Sequence, residues 1–486
     1  MSFSSNTVPG GKTMQLSRIP SMTLAVAAAI AMIGCGQKEE PKPQAAAPVA
    51  APVPAAAPVP APKPEITVKL GHVAPLTGPQ AHLGKDNENG ARMAVDELNS
   101  QSLEIGGAKI KFELLAEDDQ ADPKQGTIVA QKLVDAKVNG VIGHLNSGTT
   151  IPASKIYSDA GIPQISGSAT NPKYTQQGFK TAFRVMANDV QQGKILGEYA
   201  AKQLGAKSVA IIDDSSAYGQ GLSDEFKKAI EAAGIKIVAT EHTNDKATDF
   251  AAILTKIKSK KPDVVFYGGM DAQGGPMAKQ MKTLGLKTTK FLTGDGGCTP
   301  EFIKLGGAAT EGQYCSLPGV PLENMPGGKA FGEKFTAKYG QIQLYAPYVY
   351  DAVMVAADAM KRANSVESAK YLPEVGKTAY QGVTAKIMFD EMGDLKGGSV
   401  SMYQVKAGKW EYLETLGGGA LEAAKEVAKE AVAEAKDAVK EAAKATGEAV
   451  KATGEVAKEM AKEGVKTGAD AVKGAADATK AAVDKK

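Results

Sequence analysis

Val141-Ile-Gly-His-Leu-Asn-Ser-Gly-Thr-Thr150 and Ile165-Ser-Gly-Ser-Ala-Thr-Asn-Pro172 decide how this chain is read. Each opens as a short apolar strand and breaks into a turn of Ser, Thr, Asn and Gly; the first turn runs directly into a helical pattern. Turns of this composition present hydroxyls and unused backbone N–H groups. In a parallel α/β sheet they gather along one edge, where strands end and helices begin, and the N–H groups and positive helix ends there suit a carboxylate or phosphate. The ligand implied is a small molecule with an anionic group. Hydroxyls that merely cap helices would explain either turn alone, but two such turns about twenty residues apart weigh against that account.

The same rhythm extends to both sides. The sequence predicts strands at 66–74 and 110–116 with helices at 84–100 and 123–136, where Asp122-Pro123 supplies an N-cap and a proline at the first helical position. A second series follows the strands at 141 and 165. Its strands are expected at 209–213, 235–241, 264–268 and 291–294, and its helices at 219–233, 250–258, 274–284 and 300–305. Helices at 329–339 and 345–362 and strands at 385–389 and 400–405 close the core. Two βα series imply two doubly wound lobes with a cleft between their strand ends. The acidic group Glu117, Asp118, Asp119 and Asp122 lacks the spacing of a calcium loop, and capping and solvation account for it.

Composition is that of an ordinary soluble protein, 43% hydrophobic and 23% charged with a net charge of +3, and nothing in it suggests nucleic acid. Residues 1–34 read as a secretory signal: Lys12 and Arg18 precede an apolar run at 22–33 and then Gly34-Cys35. Met32-Ile33-Gly34-Cys35 resembles the bacterial lipobox, with Met32 where Leu is usual, and Cys35 would become the lipidated first residue. An ordinary signal-peptidase site or a retained anchor helix is the alternative. Residues 14–20 alone make a normal charged n-region, so Met14 serves equally as a start. Gly10-Gly11-Lys12-Thr13 has neither the preceding strand nor the spacing of a phosphate loop.

Residues 35–64 form a tether whose 27 residues from Lys38 to Pro64, dominated by Pro and Ala, at about 3.1 Å per residue reach on the order of 80 Å from a membrane. With Cys35 assigned to lipid, Cys298 and Cys315 remain as an even pair in a disulfide-permissive compartment. Bridging their loop of about 15 residues would contribute about 3 kcal/mol. No C-x-x-C occurs and the four His are scattered, so no metal and no cofactor is expected.

Several pieces, in order, carry a family likeness: Asp-Pro-Lys-Gln within 119–125, the stretch 141–157, Tyr218-Gly-Gln-Gly221, Tyr267-Gly-Gly269 and Phe389-Asp-Glu-Met-Gly-Asp-Leu-Lys396. Over residues 66–410 the chain resembles the leucine/isoleucine/valine-binding family of periplasmic receptors, which serve ATP-driven amino-acid importers. The resemblance implies an α/β fold of two Rossmann-like doubly wound lobes joined by a three-crossing hinge, the type I periplasmic binding protein architecture. The crossings fall near Met186, Gly319 and Gly398, giving one lobe from 65–186 and 319–398 and the other from 187–318 and 399–416.

The resemblance also implies a ligand site. A ligand α-carboxylate would lie at Ser147, Ser168, Ala169 and Thr170, met by backbone and hydroxyl groups. The opposite lobe would contribute Tyr218 and, for the ammonium, Asp295, where the family more often has Glu; the shorter side chain shifts the pairing distance or requires a bridging water. Aromatic residues of the side-chain pocket appear here as Leu83 and Met270, which implies a softer, wider pocket. Tyr345 supplies an aromatic wall or plays a structural part. The family's first-lobe cysteine pair is replaced by Ala121 and Asn146, so that Cys298 and Cys315 would staple the second lobe instead.

The expectation is a lipid-anchored receptor in the periplasm or on the cell surface that captures a free amino acid and delivers it to an ABC permease. A sensor of the same fold acting through a signalling partner stays open, as does an envelope protein with a degenerate receptor core. No G-x-S-x-G, H-E-x-x-H or phosphate loop points to an enzyme, and the export signal excludes a repressor of this fold.

Residues 417–486 change character, to Ala, Lys, Glu and Val without proline or aromatics. From Ala420 thirteen Lys balance thirteen Asp plus Glu, so net charge does not draw this tail to a membrane. Val spacings of seven and eleven give a narrow helical stripe resembling late-embryogenesis-abundant repeats. Five Gly from Gly447 to Gly474 each weaken it by about 1 kcal/mol relative to Ala. A solvated, fluctuating helix is expected, with partner-helix packing or envelope contact as the alternatives.

Overall fold

The computed structural model describes residues 63–418 and four later positions, Lys466, Asp470, Lys473 and Gly474. The expected signal, lipidated Cys35, nearly all of the tether and nearly all of the C-terminal tail lie outside the described residues.

The chain begins with β1 (Glu65–Ala74), α1 (Ala81–Ser100), β2 (Glu104–Ile105), β3 (Ala108–Asp118) and α2 (Pro123–Asp135). There follow β4 (Gly140–Gly143), α3 (Ser147–Asp159), β5 (Gln164–Ser166), α4 (Lys173–Gln176) and β6 (Ala182–Arg184). These strands form one sheet in the order β2-β3-β1-β4-β5-β6, parallel except for β2. The chain then crosses to α5 (Asp189–Lys202), β7 (Ser208–Asp213), α6 (Ala217–Ala232), β8 (Lys236–His242), α7 (Ala251–Lys260), β9 (Val264–Gly268), α8 (Asp271–Thr283), β10 (Lys290–Thr293), α9 (Pro300–Gly306) and β11 (Tyr314–Pro318). It returns to the first lobe with α10 (Gly328–Tyr339), α11 (Ala346–Ala363), α12 (Ser368–Gly376), β12 (Ala379–Gln381) and β13 (Lys386–Met388). It ends in the second with β14 (Val400–Lys406) and β15 (Lys409–Leu416). The second sheet has the order β15-β14-β11-β10-β9-β7-β8, with β7 to β11 parallel and the last two strands antiparallel.

The strand order locates the cleft. Each sheet reverses direction of winding once, between β1 and β4 in the first lobe and between β7 and β9 in the second. Loops leaving neighbouring strands diverge at such a point and leave a crevice at the carboxyl ends of the strands. The turns that open α1, α3, α6 and α8 therefore face the cleft.

Most expected elements form, and the differences have local causes. The segment 385–389 does not close a main sheet; β13 pairs only with β12 in a separate two-stranded sheet. The helix α5 is absent from the expected set although Asn188 and Gln191 form a reciprocal capping box at its start. The strand β15 carries Lys and Glu along its length because it lies at the sheet edge, where charge discourages pairing with other chains. The acidic group divides. Asp122 caps α2, accepting from the Lys124 and Gln125 N–H groups, and Asp118 accepts from Leu76 N–H at 2.8 Å. Glu117 pairs with Lys132 at the surface. Asp119 departs from the expectation of capping and solvation: it is fully buried, with Oδ2 3.1 Å from His144 Nδ1, while His144 Nε2 lies 2.9 Å from the Tyr157 hydroxyl.

Long-range packing sets the site. The helix α11 lies against α1, and Gly90 is required there, since a Cβ would come within 2.3 Å of Ala346 O. Asp86 on α1 accepts N–H groups from Gln343, Leu344, Tyr345 and Ala346 at 2.7 to 3.0 Å, tying down the start of α11 and so placing Tyr345. Burial raises the pKa of Asp86, against the pull of those four donors.

Candidate functional site

On the first lobe, α3 starts at the cleft with Asn146 at its N-cap and Ser147 as its first residue. The Ser147 and Gly148 N–H groups precede any intrahelical bond and point out of the helix end, whereas those of Thr149 and Thr150 donate to Asn146 O at 3.1 and 2.9 Å. Ser147 Oγ accepts from Asn171 N–H at 3.2 Å, which fastens the second turn to the first. Within the second turn, Ser166 Oγ accepts from Ala169 N–H at 2.9 Å and from Ser168 N–H at 3.3 Å. Those two N–H groups, expected to meet a ligand carboxylate, thus hold the turn itself. Ser168 Oγ accepts from Asn87 Nδ2 at 3.1 Å, and Thr170 Oγ1 is buried without a partner. Hydroxyls, rather than the Ser168 and Ala169 amides, are what this turn offers.

On the second lobe, Asp295 follows β10 in a single 3-10 turn and is fully buried. Its Oδ1 accepts from Gln192 Nε2 at 2.8 Å and from Tyr218 OH at 2.9 Å; its Oδ2 accepts from Tyr345 OH at 2.7 Å. Burial raises its pKa, opposed by Tyr345, Gln192 and Tyr218. The Tyr345 bond crosses the cleft, so a structural and a site role coincide in that residue. Gln192 is itself fixed, its Oε1 accepting from Asp295 N–H at 3.1 Å and Ser316 Oγ at 2.7 Å. Cys298 and Cys315 are joined, with Cα atoms 5.4 Å apart, linking the Asp295 turn to β11.

Met270 caps α8, and both its Sδ and the Tyr218 ring crowd Gly296, where a Cβ would come within 2.7 and 2.8 Å of them. Leu83 is fully buried in the same apolar cluster as Met270, Tyr218 and Tyr345. Asn146 donates to Gln80 Oε1 at 2.7 Å, while Ala121 sits in the turn that follows β3. Two further contacts span the lobes: Asn171 Nδ2 to Ala217 O at 2.5 Å, and His82 Nε2 to Asp271 Oδ2 at 2.7 Å. Burial works against a charged His82, yet the Asp271 carboxylate prevails and raises its pKa.

The structure therefore gathers Ser147, Ser168, Ala169 and Thr170 on one wall and Tyr218, Met270 and Asp295 on the other, with Leu83 and Tyr345 between. Sequence reading missed Asp86, Asn87, Gln192 and the His82–Asp271 pair. For Gln192 a signal existed, the capping box that opens α5. Among the described residues no helix is long and apolar enough to cross a membrane.

Comparison with known proteins agrees with this architecture. Residues 67–409 match the periplasmic binding protein family. The chain is 37% identical over 353 residues to Leu/Ile/Val-binding protein homolog 1 of Brucella suis biovar 1, covering 71% of this chain and 93% of that protein. It is 34% identical over 339 residues to the leucine-, isoleucine-, valine-, threonine- and alanine-binding protein of Pseudomonas aeruginosa, covering 70% and 90%. Among solved structures, the leucine-binding protein of Thermotoga maritima superposes with a TM-score of 0.67 at 29% identity, covering 72% of this chain and 98% of that one. The branched-chain amino acid transporter substrate-binding protein of Streptococcus pneumoniae, solved with isoleucine, gives 0.66 at 30% identity, covering 72% and 100%. With two doubly wound lobes, a cleft at their switch points and this extent of likeness, the chain belongs to the leucine/isoleucine/valine-binding family of periplasmic binding proteins.

Proposed function

We propose that this solute-binding protein captures a free amino acid, of branched-chain or similar apolar type, and delivers it to an ABC permease while held to the membrane by lipid on Cys35. The observation that carries the ligand class is the pairing of walls: the unpartnered Thr170 hydroxyl and the start of α3 on one side, the buried Asp295 carboxylate on the other. A zwitterion bridges such walls, carboxylate to Ser147 and Thr170, ammonium to Asp295 and Tyr218. Leu83 and Met270 would then face an apolar side chain. Each charged end binds a different lobe, so ligand favours closure by its differential affinity for the closed state. The names of the relatives support the same class, and the lipobox-like Met32-Ile33-Gly34-Cys35 supports the anchor.

Titration calorimetry of the mature protein with the twenty standard L-amino acids and their amides tests the reading. One apolar amino acid should bind tightest and its amide far more weakly. An amide or des-amino analogue that bound as well as the parent would overturn the two-ended clamp.

A further inference from the structure

The parallel strands of the second lobe end at the cleft, so the ends of α5 to α9 and the starts of β7 to β11 gather at the far end of that lobe. The hairpin between β14 and β15 joins them there, because β14 runs antiparallel to β11 and places Gln404 opposite Tyr314. Taken from the last four residues of each helix to the first of the next strand, the connections are 199–208, 229–236, 257–264, 280–290 and 303–314. Together with 406–409 they carry twelve Lys and no Arg against three acidic residues, Glu231, Asp263 and Glu311. The whole chain has a net charge of only +3, so folding concentrates the excess on one end.

The first lobe shows no such excess. Its equivalent connections, 97–108, 132–140, 156–164 and 173–182, carry four Lys against four acidic residues. Helix C-termini, whose dipoles attract cations, gather in both places, so helix capping does not account for the difference. Nor do the local acids neutralise the second-lobe end. Asp263 accepts from the Lys207 and Ser208 N–H groups at 2.8 and 2.9 Å, and Glu311 from those of Ala407 and Gly408 at 3.0 and 3.2 Å. Lys258, Lys260, Lys261 and Lys287 are exposed, and among the described residues no ion pair engages them. Where α8 ends against α9, a hollow of about 430 Å³ is lined by Lys279, Lys282, Lys304, Thr283 and Leu305. Leu305 is 36% exposed there.

We propose that this end of the second lobe rests on an anionic phospholipid bilayer. The charge is spread over six connections and is made of lysine alone, a set of flexible point charges suited to a diffuse negative surface; arginine forks would suit the fixed carboxylates of an acidic protein. No aromatic side chain in these connections is among the exposed large apolar residues, which leaves a nucleic acid without a stacking platform. The hollow beside Leu305 suits a phosphate headgroup with its glycerol. The cleft lies at the opposite end of the lobe, so a receptor resting this way keeps the cleft turned away from the membrane and open to solute. The inference is independent of which solute binds.

The test uses the mature chain with Cys35→Ser, which carries no lipid, so its result stands apart from the anchor. It is sedimented with vesicles of phosphatidylcholine alone and with vesicles containing roughly one-third phosphatidylglycerol. Binding should require phosphatidylglycerol and should be lost at about 0.5 M salt. Replacing Lys258, Lys260, Lys261 and Lys287 together by Gln should weaken binding about 30-fold or more. The same change at Lys109, Lys132, Lys137 and Lys180 of the first lobe should alter it less than about threefold. Amine labelling of the protein with its lysines intact needs no variant: vesicles should shield Lys258 and Lys287 and leave Lys137 reactive. Equal binding to phosphatidylcholine, equal losses in the two variants, or unshielded Lys258 and Lys287 overturns the proposal. A soluble polyphosphate bound more tightly than the vesicles overturns the bilayer as the partner.

Discussion

The two walls of the cleft are built on opposite plans. The first-lobe wall is neutral and local: Ser147, Ser168 and Thr170 stand in two turns whose hydroxyls and N–H groups hold one another, as in Asn171 N–H to Ser147 Oγ. The second-lobe wall is charged and assembled from afar. Asp295 is reached by Gln192 from 103 residues away and by Tyr345 from 50, and Tyr345 is placed by Asp86 from 259. A neutral wall tolerates the loss of one member because its neighbours remain; a buried charge depends on every donor it has.

That contrast can be broken experimentally. Asp295→Ala should leave a ligand ammonium without its anchor in a dry cleft and cost about 2 to 5 kcal/mol, roughly 30-fold to several-thousand-fold in Kd by calorimetry. Thr170→Ala on the other wall should cost less, about 1 to 3 kcal/mol, since the helix-end N–H groups still hold the carboxylate. Equal losses at the two sites would erase the distinction.

Tyr345→Phe keeps the ring in the core and removes only the hydroxyl that spans the lobes. Its expected cost is about 1.5 to 3 kcal/mol, as for a hydrogen bond to a charged group. The loss should appear both in Kd and in solution scattering as a less closed liganded state. Unchanged closure would mean that the first lobe contributes nothing to holding Asp295.

The smallest effect is expected at the rim. His82 gains a partner in Asp271 only when the lobes meet, and its raised pKa means the protonated form makes that contact. The contribution to closure is complete below about pH 6.5 and is lost as pH rises through the raised value. Partial exposure limits it to about 0.3 to 1 kcal/mol. His82→Gln should flatten this part of the pH profile, and a wild-type profile retained in full would remove His82 from the closure.

Much of the architecture was legible in the chain. The βα rhythm, the Asp122-Pro123 cap and the two hydroxyl turns were read where the structure has them, because each is carried by residues within a few positions of one another. Buried polar pairs were not. Asp119 looked like one more solvated acid among four, and only its packing against His144 distinguishes it. The engagement of the Ser168 and Ala169 donors was not legible for a related reason: a backbone N–H is free or engaged according to the fold of its turn, and here Ser166 Oγ takes both.

By itself, then, the sequence determined the fold class, the sites where helices begin, the composition of the neutral wall and the candidacy of Asp295, all properties of local pattern or of family likeness. Tertiary structure alone decided that Asp295 is held by Gln192, Tyr218 and Tyr345 and that Asp86 places Tyr345. These depend on side chains brought together from both lobes. Whether a buried carboxyl is satisfied follows from which donors the fold delivers to it, and no local spacing encodes that.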